Sequence, residues 1–135
     1  MELTGPKVLL VDDDPTFIDL STMAFKTFRV NYVTAFNGIE ALEKAKSERP
    51  SLILLDVMMP GIDGFAILNK LKQNPETSKI PVWMLTNLPG EMNKELAASL
   101  GASAYLVKSE NLPSKFCEKI RSFLASSPHE NQQQT

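Results

Sequence analysis

Polar side chains follow directly on four short apolar runs of this 135-residue chain: Asp12 and Asp13 after 7–11, Asp56 after 52–55, Thr86 after 82–85, and Lys108 after 104–107. Three carboxylates brought together repel one another and are stable only with a cation among them. A hard divalent ion fits that need: Mg²⁺ prefers oxygen ligands and is commonly held by one or two carboxylates together with phosphate oxygens. Mn²⁺ is the alternative. In such a site Asp13 and Asp56 are expected to ligate directly, and Asp12 mostly through water. Lys108 then offers a fixed positive charge, and the Thr86 hydroxyl a hydrogen bond, to an anion arriving at Asp56. The set suits phosphoryl transfer, in which the protein mostly positions groups and neutralises charge, and in which a carboxylate can itself be the nucleophile.

For these residues to meet, the runs must end at one edge. The apolar runs at 7–11, 30–34, 52–55, 82–85 and 104–107 read as five buried strands. Helical patterns lie between and after them, at 15–28, 38–48, 64–73, 90–100 and 112–124. Asp14 before Pro15 reads as an N-cap with proline at the first helical position, and Gly101 as a C-terminal stop. Strand and helix alternate, which implies an α/β domain: a doubly wound five-stranded parallel sheet with five helices, joined by right-handed crossovers. Ligands of such sheets bind beyond the carboxyl ends of the strands, where the strand order reverses.

Composition narrows the class further. The chain is 43% hydrophobic and 22% charged, with a formal net charge of −2, so it suits one globular domain and carries no basic field for direct binding of nucleic acid. Cys117 is the single cysteine and cannot form an internal disulfide. No secretory leader or bilayer-spanning run is visible, which points to a cytoplasmic protein with no membrane segment. The domain is expected over 6–125. Residues 126–135, which include His129, read as a disordered polar tail or the start of a linker.

The segments Val-Leu-Leu-Val-Asp-Asp-Asp-Pro (8–15), Leu-Asp-Val-Met-Met-Pro-Gly-Ile-Asp-Gly-Phe (55–65), Leu-Thr (85–86) and Gly-Ala-Ser-Ala-Tyr-Leu-Val-Lys (101–108) strongly resemble those of response regulator receiver domains. The resemblance implies a flavodoxin-like receiver fold with strand order 2-1-3-4-5. It makes Asp56 the phosphoacceptor, Asp12 and Asp13 the acid pair, and the Met58 carbonyl a further Mg²⁺ ligand. Thr86 and Lys108 become the phosphate sensors, and Tyr105 the aromatic switch that responds to the threonine. The sequence departs from the family pattern at Ser109, where a proline in a cis peptide is usual, and at Asn87, where a small residue is usual. The Lys108–Ser109 peptide is expected to be trans, since a cis bond before a non-proline residue costs roughly 3 to 4 kcal/mol.

The implied partners are a sensor histidine kinase or histidine phosphotransfer protein on one side, and a downstream protein target or output domain on the other. Dimerisation on phosphorylation would use the face of the fourth helix, fifth strand and fifth helix. The chain is expected to be a stand-alone receiver or the amino-terminal receiver of a longer regulator or hybrid kinase. A hydrolase with an aspartyl nucleophile is disfavoured, because a phosphatase of the haloacid-dehalogenase type wants an Asp two residues on, where this chain has Met58. With Phe17, Leu20 and Ala24 taken as the buried stripe of the first helix, Ile18 is expected to be exposed beside the acid pair. It would form a docking surface with Pro15 and the 109–111 loop.

Overall fold

A computed structural model describes residues 5–126, so the tail expected over 126–135 lies, beyond Ser126 and with His129, outside them. Five strands, β1 (Lys7–Val11), β2 (Asn31–Ala35), β3 (Leu52–Leu55), β4 (Val82–Thr86) and β5 (Ala104–Val107), form one parallel sheet of order β2-β1-β3-β4-β5. They alternate with α1 (Pro15–Thr27), α2 (Gly38–Glu48), α3 (Gly64–Gln73), α4 (Glu91–Ser99) and α5 (Pro113–Ala125). The expected order and type of every element are observed, and the ends shift by one residue at most.

Strand periodicity divides the core in two. Leu9, Val11, Ile53, Leu55, Val82 and Met84 face one side and pack with Ala41 and Ala45 of α2, Ile67, Leu68 and Leu71 of α3, and Ala97 of α4. Val8, Leu10, Leu52, Leu54, Trp83 and Leu85 face the other, against Ile18 and Phe25 of α1 and Phe116, Cys117 and Ile120 of α5. Because both faces are covered, β3 and the stretches Val8–Val11 of β1 and Val82–Leu85 of β4 are apolar at successive positions rather than alternating. Each fully buried Leu or Phe contributes about 1.5 to 3 kcal/mol relative to exposure.

Local signals set the helix ends, those at Asp14 and Gly101 as expected. Asp14 accepts a hydrogen bond from the Thr16 N–H at 3.0 Å, Asn37 from Glu40 at 2.8 Å and Asp63 from Ala66 at 3.0 Å, each satisfying an amide that the first helical turn leaves free. Gly101 stops α4 with φ of 108°, a region that side chains with a Cβ rarely enter.

The phase of α1 differs from expectation. Ile18 is 5% exposed and part of the core, whereas Leu20 is 51% exposed. The buried stripe is Ile18, Ser21 and Phe25. Its spacing is the same three-then-four rhythm as that of Phe17, Leu20 and Ala24, but a serine interrupts its apolar character. Phe17, Ala24 and Phe28 pack at its margin. Ser21 Oγ is buried without a hydrogen-bond partner among the described residues. Removing an unsatisfied buried hydroxyl relieves a desolvation penalty, and alanine is the better helix former. Ser21→Ala is therefore expected to raise stability by about 1 kcal/mol. A urea midpoint shifted upward with an unchanged slope would show it, and a lower midpoint would contradict it.

Candidate functional site

Register brings the polar residues together. Val11 pairs with Leu55, so the next residues, Asp12 and Asp56, leave neighbouring strands side by side. Thr86 pairs with Val107, so Lys108 leaves β5 one step beyond Thr86. β1 lies between β2 and β3, and the chain crosses over to β3 on its other side, so this edge is where the strand order reverses.

Lys108 Nζ lies 2.6 Å from Asp12 Oδ2 and 3.2 Å from Asp56 Oδ2. It also stands 4.1 Å from the centre of the Phe17 ring. The remaining carboxylate oxygens are held by backbone: Asp12 Oδ1 accepts from the Asp14 N–H at 3.0 Å, and Asp56 Oδ1 from the Met58 N–H at 3.2 Å. Asp12 and Asp56 are buried and Asp13 is exposed. Burial raises the Asp12 carboxyl above its ordinary range, against the opposing pull of Lys108 and the Asp14 amide. Burial alone would lower Lys108, but its hydrogen bond and charge attraction to Asp12, with those to Asp56, outweigh it and hold the ammonium above its usual value.

Carboxylate oxygens of Asp12, Asp13 and Asp56 converge within 4.8 Å of one another. Three carboxylates against one ammonium leave two negative charges, which a divalent cation would balance. The donor set is all oxygen, and Asp13 opens the cluster to solvent. The residues therefore fit a hard divalent ion.

At the end of β4, the buried Thr86 Oγ1 accepts from the Leu88 N–H at 3.3 Å. Tyr105, half-buried on β5, donates its hydroxyl to the Leu88 carbonyl at 2.5 Å. Thr86 and Tyr105 thus meet at one residue that sequence reading did not assign to the switch. Burial, with the nearby charge of Asp56, raises the Tyr105 hydroxyl above its ordinary value, so it remains a donor at neutral pH.

Of the expected docking residues, Pro15 and Ser109 are exposed, but Ile18 is not. Ile18 belongs to the core beneath α1, so Ile18→Asp would bury a charge and report on folding rather than on docking. Asn111 is also buried, donating to the Val107 carbonyl at 3.0 Å. The described residues contain no cis peptide, so Lys108–Ser109 is trans as expected, and Lys108–Glu110 form a 3-10 turn.

Two positions outside the expected set shape the site. Phe17 lies beside Lys108, a contact that its place in a helical apolar pattern does not reveal. Gly64 is required where α3 begins, because a Cβ there would stand 2.1 Å from the Asp56 carbonyl oxygen. The Asp63-Gly64 pair was a visible signal, as a cap followed by a residue without a side chain.

A parallel sheet with an acid cluster, a threonine and a lysine at its carboxyl edge defines the receiver class, and the response regulator receiver domain model matches residues 8–121. The chain belongs to that family, which places it in two-component signalling. It is 38% identical over 102 residues to the alkaline phosphatase synthesis transcriptional regulatory protein PhoP of Bacillus subtilis, a match covering 76% of this chain and 42% of that protein. The Mn²⁺-bound response regulator Rcp1 superposes with a TM-score of 0.77 at 30% identity, over 91% of this chain and 96% of that one. The phosphorylated cyanobacterial phytochrome response regulator RcpA gives 0.79 at 31% identity, over 92% and 96%. The chain spans less than half the length of the first curated relatives it matches. Among the described residues no helix is long and apolar enough to cross a membrane.

Proposed function

We propose that this receiver domain accepts a phosphoryl group on Asp56 and that the modified site alters the β4–α4 loop and β5 to signal through protein contacts. The observation that carries the reading is the lysine ammonium held between two buried carboxylates, 2.6 Å from Asp12 and 3.2 Å from Asp56. An Asp56 carboxylate oxygen bonds to phosphorus while the donor's leaving group departs with the bonding electron pair, leaving an acyl phosphate. Lys108 can turn from Asp56 to the phosphoryl oxygens without leaving the crevice. Asp12, Asp13, Asp56 and the Met58 carbonyl would hold Mg²⁺ or Mn²⁺. When bound, the ion supplies neutralisation of the charge on the transferring phosphoryl oxygens. The Mn²⁺-bound Rcp1 and phosphorylated RcpA structures support both features by similarity.

The Thr86 hydroxyl proton is free to point at an arriving phosphoryl oxygen, since the Leu88 amide occupies only an acceptor lone pair. Movement of Thr86 would disturb Leu88, and through its carbonyl Tyr105. The α4, β5 and α5 face carries the result to a downstream target, an output domain or a second phosphorylated copy. Pro15 and Ser109, with exposed Leu20 on α1 and Leu112 before α5, form the surface proposed for a histidine kinase or phosphotransfer protein. A second reading, the amino-terminal receiver of a longer regulator, is supported by relatives of which the match covers only 22% to 43%. Direct nucleic-acid contact by this domain is not part of either reading.

Incubation with a small phosphodonor and Mg²⁺ should add one phosphoryl mass to the chain, mapping to Asp56, and excess chelator should abolish it. Full labelling in chelator, or a label elsewhere, would refute the reading. The label is also expected to be long-lived. Exposed Met58 and half-buried Leu88, two residues beyond Asp56 and Thr86, have no side-chain group to orient a hydrolytic water. Met58→Asn is expected to shorten the lifetime several-fold and Met58→Asn with Leu88→Glu about tenfold, equivalent to about 1.4 kcal/mol of barrier. Equal decay rates in the parent and both variants would count against this.

A further inference from the structure

We infer that Phe17 is a positioning residue for Lys108, holding its ammonium at the mouth of the crevice by the face of the ring; this rests on the phosphoacceptor reading of Asp56. Lys108 Nζ has three close neighbours: Asp12 at 2.6 Å, Asp56 at 3.2 Å and the Phe17 ring centre at 4.1 Å. Both carboxylates are groups that the reaction claims for other work, Asp56 for phosphorus and Asp12 for the cation. The ring is the neighbour that neither claims. It attracts the ammonium through its quadrupole yet accepts no proton and leaves the N–H donors available to an anion.

The ring is itself fixed. Phe17 lies in the first turn of α1, whose start is set by the Asp14 cap to Thr16 at 3.0 Å and by proline at the helix entrance. Its other neighbour is the Phe116 ring of α5, with centroids 6.0 Å apart at 45° and Phe116 fully buried. α1 and α5 pack together, and the contact of the two rings joins them beside the lysine. With only 11% of its side chain exposed, Lys108 is bounded by this ring on one flank and the carboxylates on another. Loss of the ring would leave the ammonium free to swing toward solvent when its carboxylate partners are engaged.

The test compares the full chain with Phe17→Leu and Phe17→Tyr. Proton NMR of the protein without phosphodonor or divalent ion should show Lys108 Cε protons shifted upfield by the ring, with cross-peaks to Phe17. The shift should persist in Phe17→Tyr and vanish in Phe17→Leu. Labelling by acetyl phosphate with Mg²⁺ should slow about tenfold in Phe17→Leu, and Phe17→Tyr should stay close to the parental rate. A purely packing role would let the similarly apolar leucine label at the parental rate, which would overturn the inference. So would a tyrosine variant as slow as leucine, or a parent without the ring shift. Should Phe17→Leu fail to fold, the parental ring shift and the tyrosine rate decide alone. A parent chain that shows the ring shift but takes no label would instead refute the phosphoacceptor reading, and the positioning role with it.

Discussion

Asp56→Asn is expected to abolish labelling by any phosphodonor while leaving the domain folded. An amide is a poor nucleophile and a weaker ligand for a hard cation, so the change removes the atom that would bond to phosphorus and weakens the site around it. The expected loss is at least about a thousandfold, corresponding to about 4 kcal/mol of barrier. Stability should not fall with it. Asn retains an oxygen for the Met58 amide now bonded at 3.2 Å, and Lys108 keeps Asp12 at 2.6 Å. Removing one of three converging carboxylates also relieves repulsion in the protein without its cation. Intact-mass measurement after phosphodonor treatment, paired with a urea melt, checks both halves. Labelling at the parental rate would remove Asp56 from its role, and a label mapped to Asp13 would reassign it.

The second large effect belongs to a residue without a side chain. At Gly64 an added Cβ would stand 2.1 Å from the Asp56 carbonyl oxygen, 2.7 Å from Val57 Cα and 2.9 Å from the Asp56 carbonyl carbon. All three are backbone atoms, so no side chain can turn aside to make room. Either the start of α3 lifts away, losing the Gly64 N–H bond to the Val57 carbonyl at 2.8 Å, or the end of β3 moves and carries Asp56 with it. Gly64→Ala should therefore cost about 3 kcal/mol. It should also slow labelling in whatever fraction remains folded, because the nucleophile's own backbone is displaced. Gly61→Ala is the control: its φ is 85°, but nothing lies within 4 Å of an added Cβ. It should lose only about 1 kcal/mol from backbone strain. Urea midpoints that ranked the two variants in the opposite order would contradict the close-approach argument.

The α1 stripe shows where a one-dimensional pattern stops being decisive. Phe17, Leu20 and Ala24 satisfy a helical period, and so do Ile18, Ser21 and Phe25. Apolar content favours the first set, yet the second is the buried one. The choice is made by what lies opposite: α1 must cover Val8, Leu10 and Leu54 and meet Phe116 and Ile120 of α5, and the rotation that does so turns Leu20 and Met23 outward. Ile18 consequently leaves the surface expected for docking.

Strand-helix alternation, the cap at Asp14, the stop at Gly101, and the polar residues closing the apolar runs were legible because each depends on neighbours within a few residues. Parallel topology then required those run ends to share an edge, so the acid cluster, Thr86 and Lys108 could be named from sequence. Contacts set by how the elements and loops pack could not: Lys108 over Phe17, the meeting of Thr86 and Tyr105 at Leu88, and the approach of Gly64 to the Asp56 carbonyl. Periodicity specifies which residues share a face of an element. Only the packing of one element on another sets the rotation and separation that bring distant side chains within bonding distance.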